Sequence, residues 1–369
     1  MRASIALVLV LGCGSSESAA SPDTAPLDAG SDTRPAEVAA EVPEDVAGDA
    51  ADEAEVADAA PPTTVPPPRP TATGTGTTKW YAFKRVDLGG FDRTTHAAST
   101  TAWKTYGYDL DGRITTAADS ADSKGTCKRN AGSSSTVLTD GNGGIDNNFG
   151  SRLLPIIGGL SPDAEKIAND NLAAGQWTLV LRLDNVGPDD NSSVPGAMYV
   201  GHSYDGSSWQ IADVSTTDGA TVSKPKVRFP DGYMAGGTWV SGDLGKATIP
   251  ITLVMFGVPT VFPLESGIVT VRVKDGKLGT MAGGTLGSDL LAAFTPLLES
   301  FGVCKGSTNY ELFSKAVAVS VDLVSKAPML QDETRDCNAM SSGLGFEMGP
   351  TAVPTVVAPV PKSPPSLCP

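Results

Sequence analysis

Apolar and polar residues alternate with a period of two in three separate stretches, and this pattern limits the fold of the chain more than any other feature. In WTLVLRLDNV, Trp177, Leu179, Leu181 and Leu183 point one way, while Thr178, Arg182 and Asp184 point the other. In TIPITLVMFG, Ile249, Ile251, Leu253 and Met255 share a face, and Pro250 marks an edge strand or a strand start. In GIVTVRVKDGKLG, Val269, Val271 and Val273 alternate with Thr270, Arg272 and Lys274, and Asp275-Gly276 reads as a hairpin turn. Only an extended strand with one buried face presents side chains this way. Shorter strand candidates are residues 80–88, 196–203, 226–229, 238–242 and 342–348, separated by turn residues. One-sided strands must bury their apolar faces against each other. The expected fold is therefore mainly β: an antiparallel two-sheet sandwich of the jelly-roll or concanavalin-like kind.

Two or three helices are expected toward the C-terminal part. SPDAEKIANDNLAAG opens on Ser161-Pro162-Asp163, with proline at the first turn and acids at the positive end. GSDLLAAFTPLLESFG carries Leu290, Leu291, Phe294, Leu297, Leu298 and Phe301 at helical spacing, with a kink expected at Pro296. Thr308 to Glu311 forms a capping box before Tyr310, Phe313 and Val317, although AVAVSVDLV also alternates like a strand.

The N-terminal region has a different character. MRASIALVLVLGCGSS holds one basic residue and an apolar run from Ile5 to Leu11, too short to span a bilayer. Val10-Leu11-Gly12-Cys13 resembles a bacterial lipobox, so residues 1–12 read as a lipoprotein signal peptide and Cys13 as the lipidated residue; an ordinary cleaved signal is the plainer reading. Residues 14–72 carry 13 acidic residues against Arg34 and Arg69 and have no aromatic side chain. Such a segment buries too little to offset chain entropy, so 13–72 reads as a disordered acidic tether. It accounts for −11 of the chain's net −15, leaving one β-rich domain over 73–349 and an extended Pro/Val-rich tail over 350–369. The chain has no basic cluster, which argues against a nucleic-acid partner. With Cys13 assigned to lipid, Cys127, Cys304, Cys337 and Cys368 form an even set suited to two disulfides. Of three possible connectivities, Cys304–Cys337 with Cys127–Cys368 is the expected one, because the first pair brackets a helical segment.

Chemistry-bearing motifs are few. GHSYDG (Gly201–Gly206) approaches a nucleophile elbow, but Asp205 replaces the last glycine, and no histidine follows Ser203, since His96 and His202 are the only two. Two scattered histidines and paired cysteines leave no transition-metal site. Six Glu and 23 Asp in the domain would allow a carbohydrate hydrolase using paired carboxylates, with no pair singled out. Trp209 beside Tyr204 suits stacking against a sugar. The strongest candidate is TDGNGGIDNNFG. Asp140, Asn142, the Gly144 carbonyl, Asp146 and Asn148 recur every two residues, like the first half of a calcium loop; no glutamate closes it. YDLDGRIT offers Asp109 and Asp111 as a second half-loop. The two could share one structural calcium ion. Both also read as plain polar turns, since Asn142-Gly143 and Asp111-Gly112 are hairpin connectors.

Three stretches together, TTAWKTYGYDLDGRIT, TDGNGGIDNNFGSRLLPII and MLQDETRDC with SSGLGFEM, resemble a group of uncharacterised secreted lipoproteins predicted in myxobacterial genomes. The resemblance spans roughly residues 80–350 and includes Cys127, Cys304 and Cys337 but not Cys368. It implies a lipobox, an acidic linker and one extracytoplasmic domain. It brings no activity and no catalytic residue. The resulting expectation is a binding or structural module, with a carbohydrate-active hydrolase as the alternative, held in the bacterial envelope by an outer-membrane lipid anchor, with a glycan or an envelope protein as its ligand.

Overall fold

Fourteen strands and four helices follow one another between Thr77 and Val357 in the computed structural model, which describes residues 64–119, 126–129, 138–245, 247–255, 258–274, 278–358 and 366–368. Cys13, the signal peptide, most of the acidic leader and the Asp275-Gly276 turn lie outside the described residues. The strands are β1 (Thr77–Asp87), β2 (Cys127–Lys128), β3 (Thr178–Val186), β4 (Gly196–Tyr204), β5 (Trp209–Ala212), β6 (Val227–Phe229) and β7 (Tyr233–Ala235). They continue with β8 (Thr238–Val240), β9 (Ala247–Met255), β10 (Val258–Arg272), β11 (Leu278–Leu286), β12 (Asp332–Asp336), β13 (Ala339–Pro350) and β14 (Thr355–Val357). The helices are α1 (Leu154–Leu160), α2 (Ala164–Ala173), α3 (Gly287–Ser300) and α4 (Thr308–Val319).

The mainly β reading holds, with one refinement. Twelve strands join a single hydrogen-bonded sheet in the order β14-β5-β4-β3-β1-β13-β11-β10-β8-β7, with β6 on β4 and β9 on β10; it does not divide into two separate sheets. β2 and β12 form a separate parallel pair. The long strands explain this continuity. β10 holds β11 on one side, while β9 and β8 share its other side at successive positions, so one strand serves neighbours that would otherwise start a second sheet.

Alternation placed the core as expected. Trp177, Leu179, Leu181 and Leu183 are buried, as are Ile249, Ile251, Val269 and Val271; Leu253 and Met255 fall outside the described side chains. Pro250 sits on β9, whose described pairing is with β10 alone, as an edge proline requires. The main core lies between the sheet and the helices, where Phe83 stacks on Phe346 at 4.1 Å and Phe294 meets Phe149 and Phe313. The opposite face is also covered. Ala82, Val180, Tyr199, Trp209 and Ile211 pack together at one end, and Tyr108, Leu110, Ile268, Ala282 and Leu323 at the other.

The helices follow the sequence with local differences. α3 runs through Pro296, and Thr295 Oγ1 donates to the Leu291 carbonyl one turn back. α4 is capped by Ser307, one residue before the expected cap, with its Oγ accepting from Tyr310 N. AVAVSVDLV divides: its first half ends α4, and its second half is extended, with Leu323 bridging Ala339.

Two expectations are corrected. The disulfides are Cys127–Cys337 and Cys304–Cys368. Cys127 lies on β2, which pairs with β12 just before Cys337, and the C-terminal residues return to the end of α3, where Leu367 N donates to Glu299 O. Bracketing a helix was the wrong criterion, because strand pairing and chain return decide which thiols meet. The second correction concerns the tether, which does not run free to residue 72. From Thr64 onward it lies on the domain: Thr64 O accepts from Asp109 N, Pro67 O from Tyr233 Oη, and Ala72 O from Ser192 N.

Candidate metal centre

Two loops build the site. Tyr108 and Leu110 of the first alternate into the core, and Tyr108 Oη bonds Thr270 Oγ1 at 2.6 Å. This leaves Asp109 and Asp111 at the intervening positions. Gly112, at φ 74°, turns the chain so that its N–H donates to Asp109 Oδ1 at 2.6 Å, and Arg113 N donates to Asp111 Oδ1 at 2.8 Å. In the second loop Gly144, at φ 95°, reverses the chain before buried Ile145, and a Cβ there would press on Arg113 O at 3.1 Å. Asp146 joins the loops. Its N–H donates to Tyr108 O, and its Oδ2 accepts from Leu110 N at 2.7 Å and Asp111 N at 3.3 Å.

One carboxylate oxygen each from Asp109, Asp111 and Asp146 lies within 4.8 Å of the others. Asp111 and Asp146 are each 2% exposed. Thr126 Oγ1 donates to Asp111 Oδ2. Asp140 Oδ2 accepts from Thr115 N at 2.6 Å, and Asp322 accepts from Ser341 N at 2.8 Å and Ser341 Oγ at 2.6 Å. The disulfide borders the group: Cys127 follows Thr126 directly, and its Sγ lies 3.1 Å from the Asp322 carbonyl oxygen.

Burial sets the electrostatics, and mutual repulsion adds to it. Burial pushes the Asp146 carboxyl well above its ordinary range, and Asp111, Asp140 and Asp322 push it further. Asp140 rises to about 7 through burial, against the Thr115 N–H, with Asp111, Asp322 and Asp109 adding to the rise. Asp322 also rises to about 7 through burial, despite its bonds to Ser341. Asp111 and Asp109 are raised by burial as well. Arg113 draws Asp111 down, but its own guanidinium binds Gln331 at 3.0 Å and Glu333 at 2.5 Å.

Such a group is stabilised by protons or by a cation. The donors are all oxygen, the set that hard divalent ions take. Two oxygens bound to one calcium ion at about 2.3–2.6 Å are at most roughly 5 Å apart. The observed 4.8 Å limit therefore fits a shared ion.

The structure brings Asp109, Asp111 and Asp146 together and sets Asp140 within reach of their charge. Asn142 is exposed, and Asn148 is engaged elsewhere, its Oδ1 accepting from Ser151 Oγ and its N–H donating to Ser341 Oγ. Asp322 escaped the sequence reading, although an acid inside the apolar run AVAVSVDLV is itself a sign of a buried carboxylate. The adjacent Asn147 is a structural hub. Its Nδ2 donates to the Trp103, Tyr106 and Gly343 carbonyls, and its Oδ1 accepts from Gly150 N and Gly343 N.

The remaining candidates take structural places. Trp209 is buried at 3% exposure with its ring 5.3 Å from Tyr204, so of the expected stacking pair only Tyr204 faces outward. Ser203 lies in β4 and donates to Gln210 Oε1, a strand position unlike an elbow. His96 meets Glu347 at 2.8 Å on the surface. A second carboxylate pair, Asp87 and Glu165, is also buried. Asp87 Oδ1 accepts from Arg85 Nε at 2.6 Å, and Glu165 accepts from Leu88 N and Gly90 N. No protein-family model, curated protein or solved structure matches this chain.

Proposed function

We propose that this chain is a lipid-tethered binding or structural module of the bacterial envelope, and that its carboxylate pocket holds one calcium ion as part of the fold. The observation carrying the calcium reading is the convergence of Asp109, Asp111 and Asp146 from two separate loops. Bound there, the ion would supply positive charge to carboxylates that burial otherwise drives toward protonation. Asp146 already ties the loops through backbone donors, so the ion would tighten an existing junction and perform no reaction. The tether reading rests on the apolar run before Cys13 and the acidic leader.

Thermal unfolding with calcium and with EDTA tests the first half. Calcium should raise the midpoint, because a ligand bound only by the native form stabilises it; equal midpoints, with no heat of binding on calcium titration, would remove the ion from the account. Metabolic labelling with a fatty acid tests the second half. Label lost on Cys13→Ala, with the protein leaving the membrane fraction, supports the anchor, whereas an unlabelled wild type refutes it.

A further inference from the structure

Arg69 is one of two basic residues in the acidic leader, and its partly exposed side chain is held on the surface of the folded domain. Its Nη1 donates to Ser192 O at 2.9 Å and its Nη2 to Asp231 O at 2.6 Å. The Asp243 carboxylate stands 3.6 Å away. The guanidinium lies 4.5 Å over the Tyr233 ring, and Tyr233 Oη donates to Pro67 O at 2.7 Å. Tyr233 is 4% exposed with the segment in place, its ring under Arg69 and its hydroxyl on Pro67.

The bound segment is Val65-Pro66-Pro67-Pro68-Arg69-Pro70. Proline locks φ, so such a run loses little freedom on docking. Tyrosine faces with an acidic neighbour are what Pro-rich, arginine-bearing ligands require, because the planar guanidinium stacks on a ring and forks its donors to oxygens.

We infer that this cradle is a peptide-recognition site for extended Pro-flanked arginine segments, occupied in cis by residues 64–72. The site acts as a latch. While it is filled, residues 64–72 lie on the domain, with Thr64 beside the Asp109 loop; when it is empty, those residues come away and the cradle takes the same kind of segment from outside. This inference uses none of the carboxylates of the candidate metal centre, so either can fail alone.

The test uses the full chain, its Arg69→Ala variant and a fluorescent synthetic peptide, TVPPPRPTA. The variant should bind the peptide saturably and at least about ten-fold more tightly than wild type, whose cradle is already filled. A peptide with alanine in place of its arginine should bind neither. Limited proteolysis should cut between residues 64 and 73 in Arg69→Ala and not in wild type. Equal peptide affinity for the two proteins, or binding indifferent to the arginine, overturns the receptor. An unchanged cleavage pattern overturns the latch. If Arg69→Ala melts well below wild type, Tyr233→Phe serves instead: it keeps the ring and loses the bond to Pro67, and cleavage between Pro70 and Thr73 should still increase.

Discussion

The molecule buries carboxylates in two places and treats them differently. Asp87 and Glu165 are met by the chain itself: Arg85 bonds Asp87, and two backbone N–H groups hold the two oxygens of Glu165. Asp109, Asp111 and Asp146 bring carboxylate oxygens together, with Asp140 and Asp322 within reach of their charge, and Arg113, the opposing charge on Asp111, is bound to Gln331 and Glu333. Burial alone therefore says little about a carboxylate's role. The first group has an opposing charge and backbone donors of its own, although Asp87 Oδ2 is buried without a hydrogen-bond partner and Glu165 still rises to about 7. The second gathers three carboxylate oxygens within 4.8 Å of one another, and that convergence makes it the candidate site.

The comparison can be broken hardest at Asn147. Asn147→Ala takes a donor from two buried carbonyls and from the part-buried Trp103 carbonyl, which keeps Tyr106 N–H, and the acceptor from two N–H groups, at about 1–3 kcal/mol for each unsatisfied group before relaxation. A stability loss of roughly 4 kcal/mol or more is expected from denaturant unfolding, equal with and without calcium. A calcium-dependent loss would mean that hub and site are one unit. Next, Arg85→Ala strands the buried Asp87 charge and should cost about 3–5 kcal/mol, again independent of calcium. Third, Asp146→Asn should abolish the calcium-dependent stabilisation, about 4 kcal/mol at a thousand-fold excess over Kd, while leaving the Arg85→Ala effect untouched.

pH separates the groups more finely. Asp140, Asp322 and Glu165 each stand at about 7 in the fold, raised from the ordinary carboxylate range. A raised folded pKa adds stability that is complete below the unfolded value, near 4, and is lost as pH rises through 7. Without metal, denaturant midpoints should therefore fall between pH 4 and 8. Calcium should flatten the part due to Asp140 and Asp322, and Glu165→Gln should remove the slope that remains. Smallest of all, Lys166→Ala breaks an exposed Lys166–Asp170 pair on the same helix as Glu165 and should leave the melting midpoint unchanged.

Much of the architecture was legible from the residues. β3, β9 and β10 carry the alternation read in the sequence, β1, β4, β6, β8 and β13 fall on the shorter candidates, and α3 shows its apolar stripe. β11 was hidden because LGTMAGGTL is rich in glycine. Gly279 lies against the Phe346 ring, where a Cβ would come within 2.1 Å, so the residue that makes the strand fit has no side chain to show a period. Four of the site's five aspartates were legible from their two-residue spacing in the turns. Asp322 was not, since it joins from the far side of α4.

Composition and period, which are properties of neighbouring residues, decided the β character and the acid-bearing turns. Contacts between distant residues decided the rest: a single sheet, the Cys127–Cys337 and Cys304–Cys368 pairs, Arg69 in its cradle, and Asp322 beside Asp146. A period records which way a side chain points. What it points at depends on how the strands pair and where the chain returns, and hydrogen bonding between remote segments sets both.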